Sequence, residues 1–130
     1  MAAYCLLFSI LLVLSPGCSD SGAYEKNEQI PNHEWNYALQ PQLNFDITDT
    51  TSIYNVLITL RHTDAYAYKN LWLFVSTKQP GDSSFRKERF ELNLQDGEGK
   101  WVGSGMNDIH ELRYPLFTDI RFTKQGSYTI

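Results

Sequence analysis

The alternation of residues 54–61 constrains this chain more than any other feature. Tyr54, Val56, Ile58 and Leu60 alternate with Asn55, Leu57, Thr59 and Arg61. Successive side chains of a strand point to opposite faces, so this pattern predicts a strand. A polar, tyrosine-rich connection follows over 62–70. Leu71, Trp72, Leu73, Phe74 and Val75 then form a nearly continuous apolar run. Such a run is expected of a strand covered on both faces. The two are predicted to pair antiparallel at the centre of a β-rich domain.

The flanking sequence extends this picture. Leu43, Phe45 and Ile47 alternate as a further strand, and Thr48-Asp49-Thr50-Thr51-Ser52 breaks it with side chains that bond local backbone. Gln79-Pro80-Gly81-Asp82 is a turn. Residues 85–94 resume alternation, 95–99 form a tight loop, and 100–102 begin a returning strand that Gly103-Ser104-Gly105 interrupts. Asn107 is predicted to cap one short helix over 108–113, ended by Pro115. Residues 119–122 and 126–130 complete the strands, and the last stops at Ile130 in mid-pattern, so the chain is expected to continue past it. Short strands joined by turns predict an all-β, antiparallel sandwich, Ig-like or jelly-roll-like, with one short helix. Its length of 130 residues suits one domain, and 42% hydrophobic with 20% charged residues is a globular composition. The net charge of -4 is interspersed and forms no basic stripe, which argues against nucleic-acid binding.

The N-terminus precedes this domain as a processing signal. Residues 2–14 carry no charge and 4–14 are almost wholly apolar. That is shorter than the roughly 20 apolar residues a bilayer span needs, and it fits the core of a secretory signal. The sequence Leu14-Ser15-Pro16-Gly17-Cys18 resembles a bacterial lipobox, which assigns Cys18 as the lipidated residue. A conventional signal peptide cut just before Cys18 is the other alternative. Met1-Ala2-Ala3 holds no Lys or Arg, so the natural start is expected upstream. Cys5 would leave with the signal, and acylation accounts for the single cysteine left in an exported chain. The chain thus divides into a lipoprotein signal peptide at 1–17, a lipidated cysteine, tether and irregular lead-in at 18–41, and a sandwich domain at 42–130.

Few residues point to chemistry. Gly97-Glu98-Gly99-Lys100 and Gly103-Ser104-Gly105 lack phosphate-loop spacing and fit a hairpin turn with a bulge. Asp96 and Glu98 fall short of a calcium loop. His33, His62 and His110 are scattered, with no metal-ligand spacing. A triad can be drawn on His62 and Asp64, but no nucleophile motif accompanies it. Neither a metal nor another cofactor is expected. Tyr66, Tyr68, Trp72 and Trp101 offer an aromatic platform for sugar or, more simply, packing. Trp101 is expected to bury its ring against the central strands, with Gly103 and Gly105 letting the chain bend beside it.

Several ordered blocks resemble the gliding-motility lipoproteins of the GldH type. They are Ile47-Thr48-Asp49-Thr50-Thr51-Ser52 with Tyr54-Asn55, then Leu60-Arg61, then Tyr66, Tyr68 and Asn70-Leu71 with Leu73-Phe74-Val75. Gly99-Lys100-Trp101 with Gly103-Ser104-Gly105, Asp108-Ile109, Arg121-Phe122 and Gly126 with Tyr128 complete the set. The resemblance implies a lipid-anchored envelope protein, on the periplasmic side of the outer membrane or at the inner membrane. It implies a non-catalytic accessory or scaffold in gliding and the linked secretion apparatus, with other envelope proteins of that machinery as partners. It carries no catalytic residues. Tyr68, Trp72, Trp101, Gly103 and Gly105 are the structural or interaction candidates. The alternatives are a surface carbohydrate-binding module using Tyr68, Trp72 or Trp101, and an envelope hydrolase dependent on His62.

Overall fold

The computed structural model describes residues 24–130. The signal segment, Cys5 and Cys18 lie outside the described residues. A single 3-10 turn, Pro31–His33, precedes seven strands: β1 (Asn44–Ile47), β2 (Tyr54–Thr63), β3 (Asn70–Thr77), β4 (Arg86–Asn93), β5 (Ser104–Met106), β6 (Ile109–Ile120) and β7 (Gly126–Thr129). Every strand pair is antiparallel.

The strands form two layers. One is the sheet β2-β6-β5. The other joins the pair β1-β7 to the hairpin β3-β4. The join is a bridge between Lys78, just past β3, and Thr129 of β7, where each N–H donates to the other's carbonyl at 2.8 and 2.9 Å. Leu73, Val75, Leu92 and Leu94 are buried on the inner side of β3-β4, and Leu92 and Leu94 are wholly enclosed. Ile58 and Leu60 of β2 and Leu112, Tyr114 and Leu116 of β6 pack onto them from the facing layer. Fully burying one such aliphatic side chain contributes about 1.5–3 kcal/mol. A second, aromatic group closes the β1-β7 end: Phe45 stacks on Tyr128, and Phe122 stands edge-on to Tyr54, Phe45 and Tyr128 at 4.7–5.7 Å.

The fold class therefore matches the sequence pattern, with three corrections. First, β2 and β3 are not partners. β2 pairs with β6, and β3 pairs with β4. Each of the central strands has an apolar face, and both faces are buried when the strands sit in opposite layers and look at each other. The loop containing Gln79, Gly81 and Asp82 then gives β3 a local partner: Gly81 takes φ +85 and the Asp82 N–H donates to the Gln79 carbonyl. Second, β3 is covered on one face only, since Trp72 and Phe74 are 48% and 56% exposed. Third, the helix predicted over 108–113 is strand, and no α-helix occurs among the described residues. Asn107 takes φ +62 in the two-residue turn between Met106 and Ile109. Continuous pairing of 109–115 with β2 outweighs the local capping signal. Pro115 is tolerated because β5 reaches only Glu111, so β6 has a free side there.

Two register shifts fit β6 to β2, between Tyr54 and Val56 and between Val56 and Leu57. At the first, Asp119 takes φ +52 and its N–H donates to Asn55 Oδ1 at 2.9 Å. Ahead of β2, the Asp49 carboxylate accepts from the N–H groups and hydroxyls of Thr51 and Ser52. The Ser52 and Thr51 hydroxyl bonds, then the Thr51 amide, hold this carboxyl far below the ordinary aspartate range.

Leu73→Ala should cost about 2–5 kcal/mol in urea unfolding; a loss below about 1 kcal/mol would remove β3 from the core. The Asp49 turn gives a pH test. A depressed carboxyl contributes its stability above the unfolded value of about 4 and loses it as pH falls. The stability gap between wild type and Asp49→Ala should therefore be present at neutral pH and shrink below about pH 4. A gap constant between pH 7 and 2 would refute the assignment.

Candidate functional site

The alternation of β2 runs two residues past Arg61, and its last inward position is His62. Register places His110 of β6 directly opposite. Their ring centroids lie 5.4 Å apart. Trp101 stands edge-on to His62 at 4.7 Å and lies 5.7 Å from His110. Tyr66 continues the row at 6.1 Å from His62, and Tyr68 stands edge-on to Tyr66 at 5.7 Å. Five rings thus line one end of the sandwich. The two histidines that look scattered in sequence are cross-strand neighbours.

Hydrogen bonds set the cluster's geometry. The Asp64 carboxylate lies 2.7 Å from His110 Nε2 and orients that ring. Asp64 does not meet His62, so the triad drawn on that pair is not assembled. His62 Nδ1 lies 3.2 Å from the Thr63 carbonyl, and its Nε2 is buried without a protein partner among the described residues. The Tyr66 hydroxyl donates to the Asn70 carbonyl at 3.1 Å, and burial, with a smaller effect from Tyr68, raises its pKa. Among the described residues no group of three or more His, Cys, Asp or Glu side chains is placed to hold a metal.

The segment 99–105 frames this end. Asp96 accepts from the Glu98 and Lys100 N–H groups at 2.9 Å each, which makes it a turn cap. Gly99 takes φ +83, as the tight loop requires. Trp101 is half-buried against the Leu73 group. It bridges to Gln95, two residues past the end of β4, and the chain then pairs with β6 as β5. Gly103-Ser104-Gly105 is thus not only a break: Ser104 and Gly105 lie within β5. A Cβ at Gly103 would overlap the Glu111 carbonyl, and one at Gly105 the Ile109 carbonyl.

The predicted aromatic platform divides. Tyr66, Tyr68 and Trp101 belong to the histidine end, with Tyr68 67% exposed. Trp72 lies on the outer face of β3, away from the buried group of Leu73 and Val75. There Arg89 sits over the Trp72 ring at 4.5 Å and Lys87 over Phe74 at 4.5 Å. The pairing of His62 with His110 and these cation-capped rings had no counterpart in the sequence pattern. One further step of the β2 alternation points His62 inward, but only the register with β6 supplies its neighbour.

Comparison with known proteins gives this geometry a context. Residues 22–130 match the family described as GldH lipoprotein. A gliding motility lipoprotein GldH homolog of Christiangramia forsetii is 26% identical over 124 residues, covering 95% of this chain and 75% of its own length. The gliding motility lipoprotein GldH of Flavobacterium johnsoniae is 25% identical over 126 residues, covering 96% of this chain and 75% of its own. No solved structure matches.

Gly105→Ala should destabilise the domain far more than Gly97→Ala, a position where an added Cβ meets nothing within 4 Å. Equal melting temperatures would show that β5 can move away from β6. Trp101→Ala should cost about 3–5 kcal/mol, a large share of a typical margin of about 5–15 kcal/mol, and lower the protein's abundance. Normal abundance and normal melting with lost function would make this end an interaction surface instead.

Proposed function

The chain belongs to the GldH lipoprotein family, and from that premise we propose that it is a non-catalytic scaffold of the gliding apparatus and its linked secretion machinery. It is a gliding-motility lipoprotein, associated with the cell envelope through a lipid anchor. The match across 22–130 together with two relatives named as gliding motility lipoproteins carries this reading. Cys18 is the anchoring residue. It follows an apolar run and a small residue, Gly17. Acyl chains contribute about 0.8 kcal/mol per buried CH₂, and two or more hold a protein stably where one is marginal. The outer membrane, on its periplasmic side, is the favoured location.

The Asp64–His110 pair is part of the ring cluster at the end of the sandwich. His110 is held by Asp64, and its other close neighbours are the rings of His62 and Trp101. Among the described residues no hydroxyl or thiol side chain bonds either imidazole.

Cys18→Ala should leave the protein uncleaved or released from the membrane fraction. Unchanged fractionation with an unchanged N-terminal mass would dismiss Cys18 as the anchor. A deletion strain should lose both surface spreading and secretion of its exported adhesins. Intact secretion in non-spreading cells would remove the secretion half of the role.

A further inference from the structure

The outer face of β3-β4 differs from the rest of the surface. Alternation and register bring Trp72 and Phe74 of β3 together with Lys87 and Arg89 of β4. Lys78 and Phe85 continue the same register one step into the loop, and the Lys78 ammonium lies 5.5 Å from the Phe85 ring centroid. Trp72, Phe74 and Phe85 are 48%, 56% and 49% exposed. Each ring carries a cation. The carboxylate on this face, Glu91, is engaged by the Asn70 amide. A chain of net charge -4 therefore presents an aromatic and cationic face on β3-β4.

We propose that this face is a second membrane contact, seating the domain on anionic phospholipid headgroups beside its lipid anchor; the inference rests on the reading of Cys18 as that anchor. Aromatic rings settle at the headgroup level, and Lys and Arg extend their stems over apolar surface while their charged ends meet phosphate. The reach of the chain fits. Tyr24 is fixed at the β1 edge, where its hydroxyl donates to the Asn44 carbonyl at 2.8 Å and its ring meets Phe45. Cys18 and Tyr24 are six positions apart, a stretch that spans at most roughly 20 Å. From β1 to β4 the layer is three strand spacings wide, about 15 Å. A domain held that close to the bilayer experiences its surface at high effective concentration, so a weak face suffices. An added protein strand fits less well. Glu88 lies on the inner side of the β4 edge, opposite Val75, and an inward charge of this kind discourages edge pairing.

The test uses the lipidated full chain reconstituted into vesicles that contain phosphatidylglycerol or only phosphatidylcholine. Bromine-labelled acyl chains quench tryptophans that enter the interface, and Trp72→Phe isolates the Trp72 share from Trp35 and Trp101. Trp72 emission should be quenched on the anionic vesicles and much less on the neutral ones. Lys87→Glu with Arg89→Glu should lower the ratio of docked to undocked protein by more than about tenfold, with unchanged melting. The inference is overturned if the protein floats with the vesicles while Trp72 stays fully open to an aqueous quencher. If, in addition, Arg89→Glu cells at normal protein abundance cease to spread, the face belongs to a protein partner. Failure of the anchor has a different signature: the wild-type chain then lacks acyl mass on Cys18 and does not float, which overturns both readings.

Discussion

Burial of one face of the β3-β4 hairpin against β2 and β6 is the constraint on which the rest depends. Leu92 and Leu94 are wholly enclosed, and Leu73 and Val75 nearly so. A two-stranded hairpin is marginal in water by itself, so these side chains need the facing layer to exclude solvent. Ile58 and Leu60 supply it from β2, and Leu112, Tyr114 and Leu116 from β6. The second layer in turn gains its buried face from the first. Neither layer is stable by itself, and the loops answer to that mutual requirement.

The loops show where the requirement is tightest. β6 is twelve residues long and β2 ten, and β6 closes on β2 through two register shifts. Leu116 and Phe117 both turn partly inward across one of them. Asn55 supplies an acceptor for the Asp119 amide at the other. β5 approaches β6 so closely that glycine is needed at 103 and 105. That approach brings Trp101 to the layer's open end, where His62 and His110 already face one another. Local chain bends and the ring cluster are thus products of one packing problem.

The polar surface is organised by the same two layers. The inner faces are occupied by aliphatic and aromatic packing, so distinctive charge falls on the outer faces. On the β2-β6 layer Arg61 pairs with Glu111 at 2.7 Å, an exposed ion pair of modest worth. On β3-β4 the cations lie over rings and leave their charge available to a partner. A lipid-anchored domain gains from this asymmetry, because a face of defined chemistry orients a domain that a lipid chain alone would leave free to tumble.

Sequence by itself determined the strand class, most strand positions and the family. Alternation over 54–61, the apolar run at 71–75 and the turn at 79–82 are local signals, and strand geometry translates each without knowledge of the partner. The tight loop over 95–99, in which Gly99 takes a positive φ, was legible for the same reason. Pairing was decided only by tertiary structure. Whether an apolar strand lies beside another or faces it from the opposite layer depends on where each buries more surface, and both arrangements share one local pattern. The segment 108–113 carries a helix cap signal, yet its neighbour β2 turned it into strand by offering a continuous ladder. His62 and His110 are 48 positions apart in the sequence and meet because the uninterrupted ladder of 57–63 against 109–115 brings them opposite. Trp72 and Phe74 read as core because apolar runs are usually covered. Their exposure was settled by the absence of a third layer over β3 among the described residues, where Arg89 and Lys87 cover the rings instead.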